Sequence, residues 1–136
     1  MSGRQEAIDA AARLLRHGDR SRAELERRLG ERGIEPDVLV DALDALERVG
    51  VLDDGRTATL RASRLAERGY GDAYIRAELV HRGLPAEEAI AELEPENVRA
   101  VRLLDRLADG KSGAAWLARR GFDADALESA VAAEPP

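Results

Sequence analysis

The sequence predicts an all-α fold in which three tandem three-helix repeats form an elongated, curved array. Leu, Ala, Glu and Arg dominate the 136 residues, and these are strong helix formers. Aromatic residues make up only 3% of the chain, whereas strand-rich proteins use more aromatic and β-branched residues in alternation. The third observation is a turn motif of a basic residue, Gly and a large apolar residue, which occurs as Arg32-Gly33-Ile34, Arg82-Gly83-Leu84 and Arg120-Gly121-Phe122.

This turn motif is typical of a helix that ends and is followed at once by another. Gly adopts a left-handed conformation at little steric cost, and the apolar residue after it folds back on the helix. Arg in the last turn complements the negative end of the helix dipole. Each motif therefore predicts a pair of consecutive helices.

The first repeat, residues 1–52, is expected to contain helices near 5–16, 21–32 and 36–49. The run Ser21-Arg22-Ala23-Glu24 is a capping box that starts the second helix, and Pro36 suits the first turn of the third. Leucines at helical spacing predict one buried stripe per helix, namely Leu25, Leu29, Leu39 and Leu43.

The second repeat, residues 53–94, is expected to contain helices near 55–68, 72–82 and 86–93. Asp53 and Asp54 suit the cap and first turn of its first helix, and Pro85 suits the first turn of its last helix. The core positions that correspond to those of the first repeat are Ile75, Leu79, Ala89 and Leu93.

The third repeat, residues 95–133, is expected to contain helices near 96–108, 112–120 and 124–132, with a frayed tail at 134–136. Trp116 and Leu117 supply most of its bulk, Asp123 suits an N-cap, and Leu127 and Val131 continue the apolar stripe. One repeat is too small to bury its own core well, so neighbours are expected to pack in series. The alternative is one compact bundle with accidental internal similarity.

Composition and charge narrow the class of protein. The formal net charge is −6, so a DNA role requires a local basic face or a protein partner. The chain has no Cys, which excludes disulfides and Cys-based zinc sites. No apolar run approaches the roughly 20 residues of a membrane helix, and residues 1–8 lack a signal-peptide pattern. We therefore expect a cytoplasmic protein that does not enter the membrane.

Residues 50–84 contain a series of short motifs that is specific in combination. They are Gly50-Val51-Leu52-Asp53-Asp54-Gly55-Arg56, Arg61-Ala62-Ser63-Arg64, Arg68-Gly69-Tyr70-Gly71, Ile75-Arg76-Ala77-Glu78-Leu79 and Arg82-Gly83-Leu84. This series resembles the central repeat of the RecX family. The first repeat matches through residues 21–25 and the third, more weakly, through residues 116–122, so the resemblance covers about residues 8–132. Thr57 departs from the family pattern, which usually has an aromatic residue there.

The resemblance to RecX implies a regulatory protein that binds the filament of RecA on DNA and usually inhibits its ATP hydrolysis and strand exchange. Such a protein works in DNA repair and recombination. It is not an enzyme and needs no cofactor. We expect a monomer whose partner is the RecA filament, with single-stranded DNA reached through that filament. Many relatives are basic overall, whereas this chain is acidic.

Arginines at helical spacing are the main candidates for partner binding. The candidate residues are Arg61, Arg64, Arg68, Tyr70, Arg76, Arg82, Arg99, Arg102 and Arg106. The first three fall on one helix face, and the last three repeat that spacing. From Arg56 to Arg82 there are six arginines and three acidic residues, a local charge of +3. Guanidinium groups suit phosphate oxygens or carboxylates of a partner. The alternative is an ordinary solvated face with Arg–Glu pairs.

Three aromatic residues have a structural interpretation beside a functional one. Tyr70 lies in a Gly-Tyr-Gly turn and could stack on a base or pack on a partner, although closing the corner between two helices is the favoured role. Tyr74 and Trp116 are expected in the core.

Two other function classes remain as alternatives. Three-helix units can present a recognition helix, so a helix-turn-helix DNA-binding regulator is the second hypothesis, with the acidic net charge against it. Enzymatic function has little support. Asp53-Asp54 lacks further ligands, His17 and His81 stand alone, and no nucleotide-binding glycine loop is present.

Overall fold

Helices account for all the regular secondary structure in the residues that the computed structural model describes, 3–107 and 110–132, and no strand occurs among them. The predicted all-α fold is therefore confirmed, and the predicted tail at 134–136 lies outside the described residues. The helices are α1 (Arg4–Arg16), α2 (Arg22–Glu31), α3 (Pro36–Arg48), α4 (Asp54–Glu67), α5 (Asp72–His81), α6 (Ala86–Ala91), α7 (Glu96–Asp105), α8 (Gly110–Arg119) and α9 (Ala124–Ala132).

The chain divides into two compact units. The first comprises α1, α2, α3, the start of α4 and the turn Arg82–Leu84. The second comprises the rest of α4 and the helices from α5 to α9. Within the described part of the chain, every helix is too short or too polar to cross a bilayer.

The core of the first unit is built from the leucines that the sequence places at helical spacing. Leu25, Leu29 and Leu43 are fully buried, and Leu39 is 4% exposed. Ala7 and Ala11 bring α1 close to α3, since both alanines are fully buried. One apolar stripe per helix thus meets at a common centre, as the spacing predicts.

The core of the second unit contains Ile75, Leu79 and Leu117, all fully buried, as predicted. Of the other predicted core residues, Leu93, Trp116 and Leu127 are half-buried, and two are exposed. Tyr74 is 39% exposed and Val131 is 48% exposed. Tyr74 precedes the buried Ile75 on α5, and α9 buries only Ala126 and Ala130 among its described residues.

The starts and ends of the helices follow the local sequence signals. Ser21 Oγ accepts a hydrogen bond from Glu24 N–H, and Glu24 Oε1 accepts one from Ser21 N–H, which completes the predicted capping box. Gly33, Gly83 and Gly121 have φ of +89°, +73° and +94°, the left-handed conformation expected of the turn motif.

Candidate partner-binding surface

The predicted arginines on and directly after α4 differ in exposure. One face of α4 is buried in the core and carries Ala58, Ala62 and Leu65. Arg64 and Arg68 are exposed. Arg61 is half-buried, and its Nη2 donates to Glu78 Oε1 of α5 at 3.4 Å. Arg61 therefore joins α4 to α5, while Arg64 of α4 and Arg68 directly after α4 are at the surface.

Arg76 and Arg82 both face carboxylates of the same chain. Arg76 Nε donates to both Glu87 oxygens, at 3.0 and 2.8 Å. This hydrogen bond lowers the pKa of Glu87 and raises the pKa of Arg76. Arg82 Nη1 lies 3.6 Å from Glu24 Oε2. A partner's anionic group at either arginine would compete with a carboxylate already in place.

Tyr70 and Tyr74 belong to a stack with a residue that the sequence did not single out as functional, Arg120. The Tyr70 and Tyr74 rings are stacked with centroids 4.0 Å apart. The Arg120 guanidinium lies 3.9 Å from the Tyr70 centroid and 4.4 Å from the Trp116 centroid, so it is held between two rings. Tyr70 is thus half-buried between Arg120 and the exposed Tyr74, and whether it also contacts a partner stays a prediction.

Arg120 also binds the backbone carbonyls directly after α4. Its Nε donates to the carbonyl oxygen of Gly69 at 3.2 Å, and its Nη2 donates to the carbonyl oxygen of Arg68. The sequence predicts that this arginine complements the dipole of its own helix, and the structure instead places it on the carbonyls that follow a different one. The only sequence signal was its place in the third turn motif, which does not identify a long-range partner.

Arg99 was predicted to contact a partner, and the structure contradicts this because the residue is only 6% exposed. Its Nη1 donates to the Glu94 carbonyl oxygen at 3.0 Å, and its Nη2 donates to the Tyr70 carbonyl oxygen at 3.3 Å. Nη2 also lies 2.9 Å from Asp72 Oδ1. Arg99 is therefore a buried structural residue that joins α7 to the start of α5.

The two remaining arginines of α7 are at the surface. Arg102 is half exposed and pairs with Glu94 Oε2, and this pair lowers the pKa of Glu94 and raises that of Arg102. Arg106 caps the end of α7 and is exposed. The predicted α7 stripe is thus reduced to Arg102 and Arg106.

Glu96 is a second residue that sequence reasoning missed. One of its carboxylate oxygens accepts from Asp72 N–H at 2.5 Å and the other accepts from Asp123 N–H at 3.2 Å. One side chain therefore serves the starts of α5 and α9, where a negative charge is favoured by the helix dipole. Nothing in local spacing indicates this, because the two helices lie on either side of it in sequence.

The acidic pair Asp53-Asp54 has the helix-start role that the sequence favours. Asp53 Oδ1 accepts from Arg56 N–H at 3.0 Å, and Asp54 Oδ1 accepts from Arg22 N–H at 2.9 Å. Burial raises the pKa of Asp54. In residues 3–107 and 110–132, no group of three or more His, Asp or Glu side chains is arranged to hold a metal ion.

Sequence comparison places these residues among known regulatory proteins. A family model described as "RecX, first three-helix domain" matches residues 7–46. The Regulatory protein RecX of Xanthomonas oryzae pv. oryzae (strain MAFF 311018) is 37% identical, over 96% of this chain and 90% of that relative. The Regulatory protein RecX of Halorhodospira halophila is 36% identical, over 92% of this chain and 86% of that relative.

Structural comparison supports the same fold. The crystal structure of RecX from Lactobacillus salivarius matches with a TM-score of 0.84 at 20% identity, covering 95% of this chain and 94% of the other. A crystal structure of a regulatory protein RecX matches with a TM-score of 0.75 at 17% identity, covering 92% of this chain and 71% of the other.

Proposed function

The chain belongs to the RecX family of regulatory proteins, and from that membership we propose that it binds filaments of RecA on single-stranded DNA and inhibits RecA. The observation that carries the proposal is 37% identity to a Regulatory protein RecX over nearly the full length of both chains. We also propose that it acts in the cytoplasm as a monomer, in DNA repair and recombination, without catalysis and without a cofactor.

Two exposed arginines, Arg64 of α4 and Arg68 directly after α4, are the proposed centre of the filament contact. They lie one helical turn apart, so both can reach one strip of carboxylates or phosphates. Arg106 is a further exposed candidate, and Arg76, Arg82 and Arg102 can contribute by exchanging their present carboxylate partners. Arg99 and Arg61 belong to the packing of the second unit and are not placed in the contact.

The acidic net charge favours contact through the protein of the filament. At −6, the chain as a whole is repelled by the phosphate backbone, and binding to bare DNA requires local arginines to overcome that repulsion. Acidic faces can meet basic segments of RecA, while Arg64 and Arg68 meet acidic segments or exposed phosphates. The same charge argues against a stand-alone helix-turn-helix regulator.

A three-way binding measurement tests this proposal. Labelled protein is titrated with RecA-coated single strands, bare single strands and duplex DNA at several salt concentrations. The proposal predicts clear preference for the coated strand, with weak, salt-sensitive binding to the other two. Equal affinity for coated and bare strands, or preference for one duplex sequence, would contradict it.

A double variant tests the arginines. Arg64→Ala with Arg68→Ala is expected to weaken filament binding about tenfold or more, because two charge-assisted contacts are lost. The matched control is Arg13→Ala with Arg16→Ala, two exposed arginines of α1, which should bind like wild type. Helicity by circular dichroism should be unchanged in both. Equal effects of the two double variants would refute the assignment.

A further inference from the structure

The turn motif that ends α5 packs on the first turn of α2, within the first compact unit. Ser21 Oγ donates a hydrogen bond to the carbonyl oxygen of Arg82 at 2.5 Å, and the Arg82 guanidinium faces Glu24. A Cβ added to Gly83 would lie 2.7 Å from the Cβ of Ala23. The turn fits against α2 because this residue is Gly.

The turn motif that ends α8 packs in the same way on the first turn of α5, within the second unit. Gly71 N–H donates to the carbonyl oxygen of Arg120 at 2.7 Å, and Ala73 N–H donates to that of Gly121 at 3.2 Å. A Cβ added to Gly121 would lie 2.6 Å from the backbone nitrogen of Tyr74. Again the close approach requires Gly.

These two contacts are one arrangement used twice. Ser21 and Gly71 each stand directly before a helix, and each precedes the glycine at the end of that helix by the same interval. Each donates a hydrogen bond to the carbonyl oxygen of the Arg that precedes the turn glycine, through a hydroxyl in one case and a backbone N–H in the other. In both cases, the turn motif is therefore a binding site for the first turn of another helix.

The motif Arg32-Gly33-Ile34 at the end of α2 has the same form, and no helix start among the described residues packs against it. Ile34 N–H donates to the Leu29 carbonyl oxygen, as Phe122 N–H does to that of Leu117. Gly33 is left-handed, with φ of +89°. Arg32 and Gly33 are exposed, and no atom of the described residues lies within 4 Å of a Cβ added to Gly33.

We propose that Arg32-Gly33-Ile34 binds the first turn of a helix that belongs to the RecA subunits of the filament. The partner helix would have Ser or Gly directly before its first residue and an acidic residue in its first turn, as Ser21 and Glu24 provide for Arg82. This proposal rests on the proposed function. A second copy of this chain fits less well, because its starts of α2 and α5 already bind the turns at Arg82 and Arg120 of the same copy. The corresponding position in the third repeat is Asp109, whose carboxylate would be repelled by the carbonyl oxygen that a Ser hydroxyl or a Gly accommodates.

A matched pair of glycine variants tests the proposal. Gly50 ends α3 with φ of +78°, is exposed, and also has no described atom within 4 Å of an added Cβ. Asn tolerates the left-handed conformation, so Gly33→Asn and Gly50→Asn should fold with similar Tm. Binding is measured to RecA assembled on oligo-dT with a slowly hydrolysed ATP analogue. Gly33→Asn should bind about tenfold or more weakly, since its side chain occupies the space of the docked helix, and Gly50→Asn should bind like wild type.

A second pair covers the case in which Gly33→Asn does not fold. Arg32→Glu should weaken filament binding, because the new carboxylate would repel the acidic residue proposed in the first turn of the partner helix. Arg48 is an exposed arginine at the end of α3, and Arg48→Glu should not weaken binding.

The outcomes separate this proposal from the function on which it rests. If wild type does not bind the RecA-coated strand, both the proposed function and the proposed docking site are refuted. If wild type binds and Gly33→Asn binds equally well, or the two Asn variants lose affinity equally, the docking site alone is refuted. Self-association of wild type in sedimentation, abolished by Gly33→Asn, would assign the turn to a second copy and also overturn the proposal.

Discussion

Arginines with the same helical spacing have quite different surroundings in this protein. Arg99 is 6% exposed and holds two backbone carbonyls and Asp72, whereas Arg102, on the next turn of α7, is half exposed and holds one exposed carboxylate. Buried pairs are costly to break because one partner stays desolvated, whereas exposed pairs contribute little. The first arginine is structural, and the second is available at the surface.

Replacing Arg99 with Ala should therefore lower the free energy of unfolding by about 3 kcal/mol, since the carbonyls of Glu94 and Tyr70 lose their donor and Asp72 loses its cation. Urea denaturation followed by circular dichroism measures this change. Arg102→Ala is the matched control on the same helix and should shift the midpoint only slightly. A small effect of Arg99→Ala would mean that the residue is not the structural centre described above.

Asp54 gives a pH-dependent prediction at the same scale. Burial raises the pKa of its carboxyl, although the hydrogen bond from Arg22 N–H opposes the shift. An acid whose pKa is higher in the folded state binds its proton more tightly there, so its ionised form lowers stability at neutral pH. That penalty is present above the folded pKa and disappears as the pH falls below the ordinary Asp value of 3.8.

Asp54→Asn keeps a carbonyl oxygen for Arg22 N–H and removes the buried charge. It should be at least as stable as wild type at neutral pH, with a difference that shrinks as the pH falls toward 3.8. Urea midpoints of both proteins across this range measure it. A variant that is clearly less stable than wild type at neutral pH would contradict this account of Asp54.

At the scale of helices, the turn glycines decide how consecutive elements pack. Gly83 and Gly50 are both left-handed, but a Cβ at Gly83 would meet Ala23 at 2.7 Å, while one at Gly50 would meet no described atom within 4 Å. An Ala at either position incurs about 1–2 kcal/mol of backbone strain. Only at Gly83 does a clash add to it.

Gly83→Ala should therefore be more destabilising than Gly50→Ala by about 1–3 kcal/mol, because the turn must move away from the start of α2. Thermal or urea unfolding of the two variants gives the difference. If both variants lose the same stability, the close fit of this turn against α2 contributes nothing.

The sequence predicted the helices well because their signals are local. The Ser21–Glu24 capping box, Pro36 and the three turn glycines all mark helix ends from within a few residues, and the structure has a helix at each predicted place. Pro85 differs by one position, since it is the N-cap of α6 and not part of its first turn.

The candidate surface was predicted less well because it depends on contacts between residues that are far apart in the sequence. Periodicity identifies residues on one helix face, but it does not say which neighbouring element covers that face. Arg99 is buried because Tyr70 and Asp72 lie against α7, and Arg120 is positioned by carbonyls that follow α4. Glu96 joins the starts of two helices that are far apart in sequence.

At the scale of the whole molecule, an acidic chain with a few exposed arginines suits a protein that recognises a filament and not bare DNA. The three-repeat organisation, with boundaries near residues 52 and 94, remains a prediction, as does the elongated shape. Small-angle scattering tests both. The predicted array gives a radius of gyration clearly above the roughly 14 Å expected for a compact domain of this length, and a near-spherical particle would refute it.

The central claim is that this protein regulates RecA by binding its filament, and the most direct measurement is the rate of ATP hydrolysis by RecA on single-stranded DNA as the protein is added. The account predicts that the rate falls with increasing protein, and that Arg64→Ala with Arg68→Ala requires a higher concentration for the same effect. A rate unchanged when the protein is equimolar with RecA would contradict it.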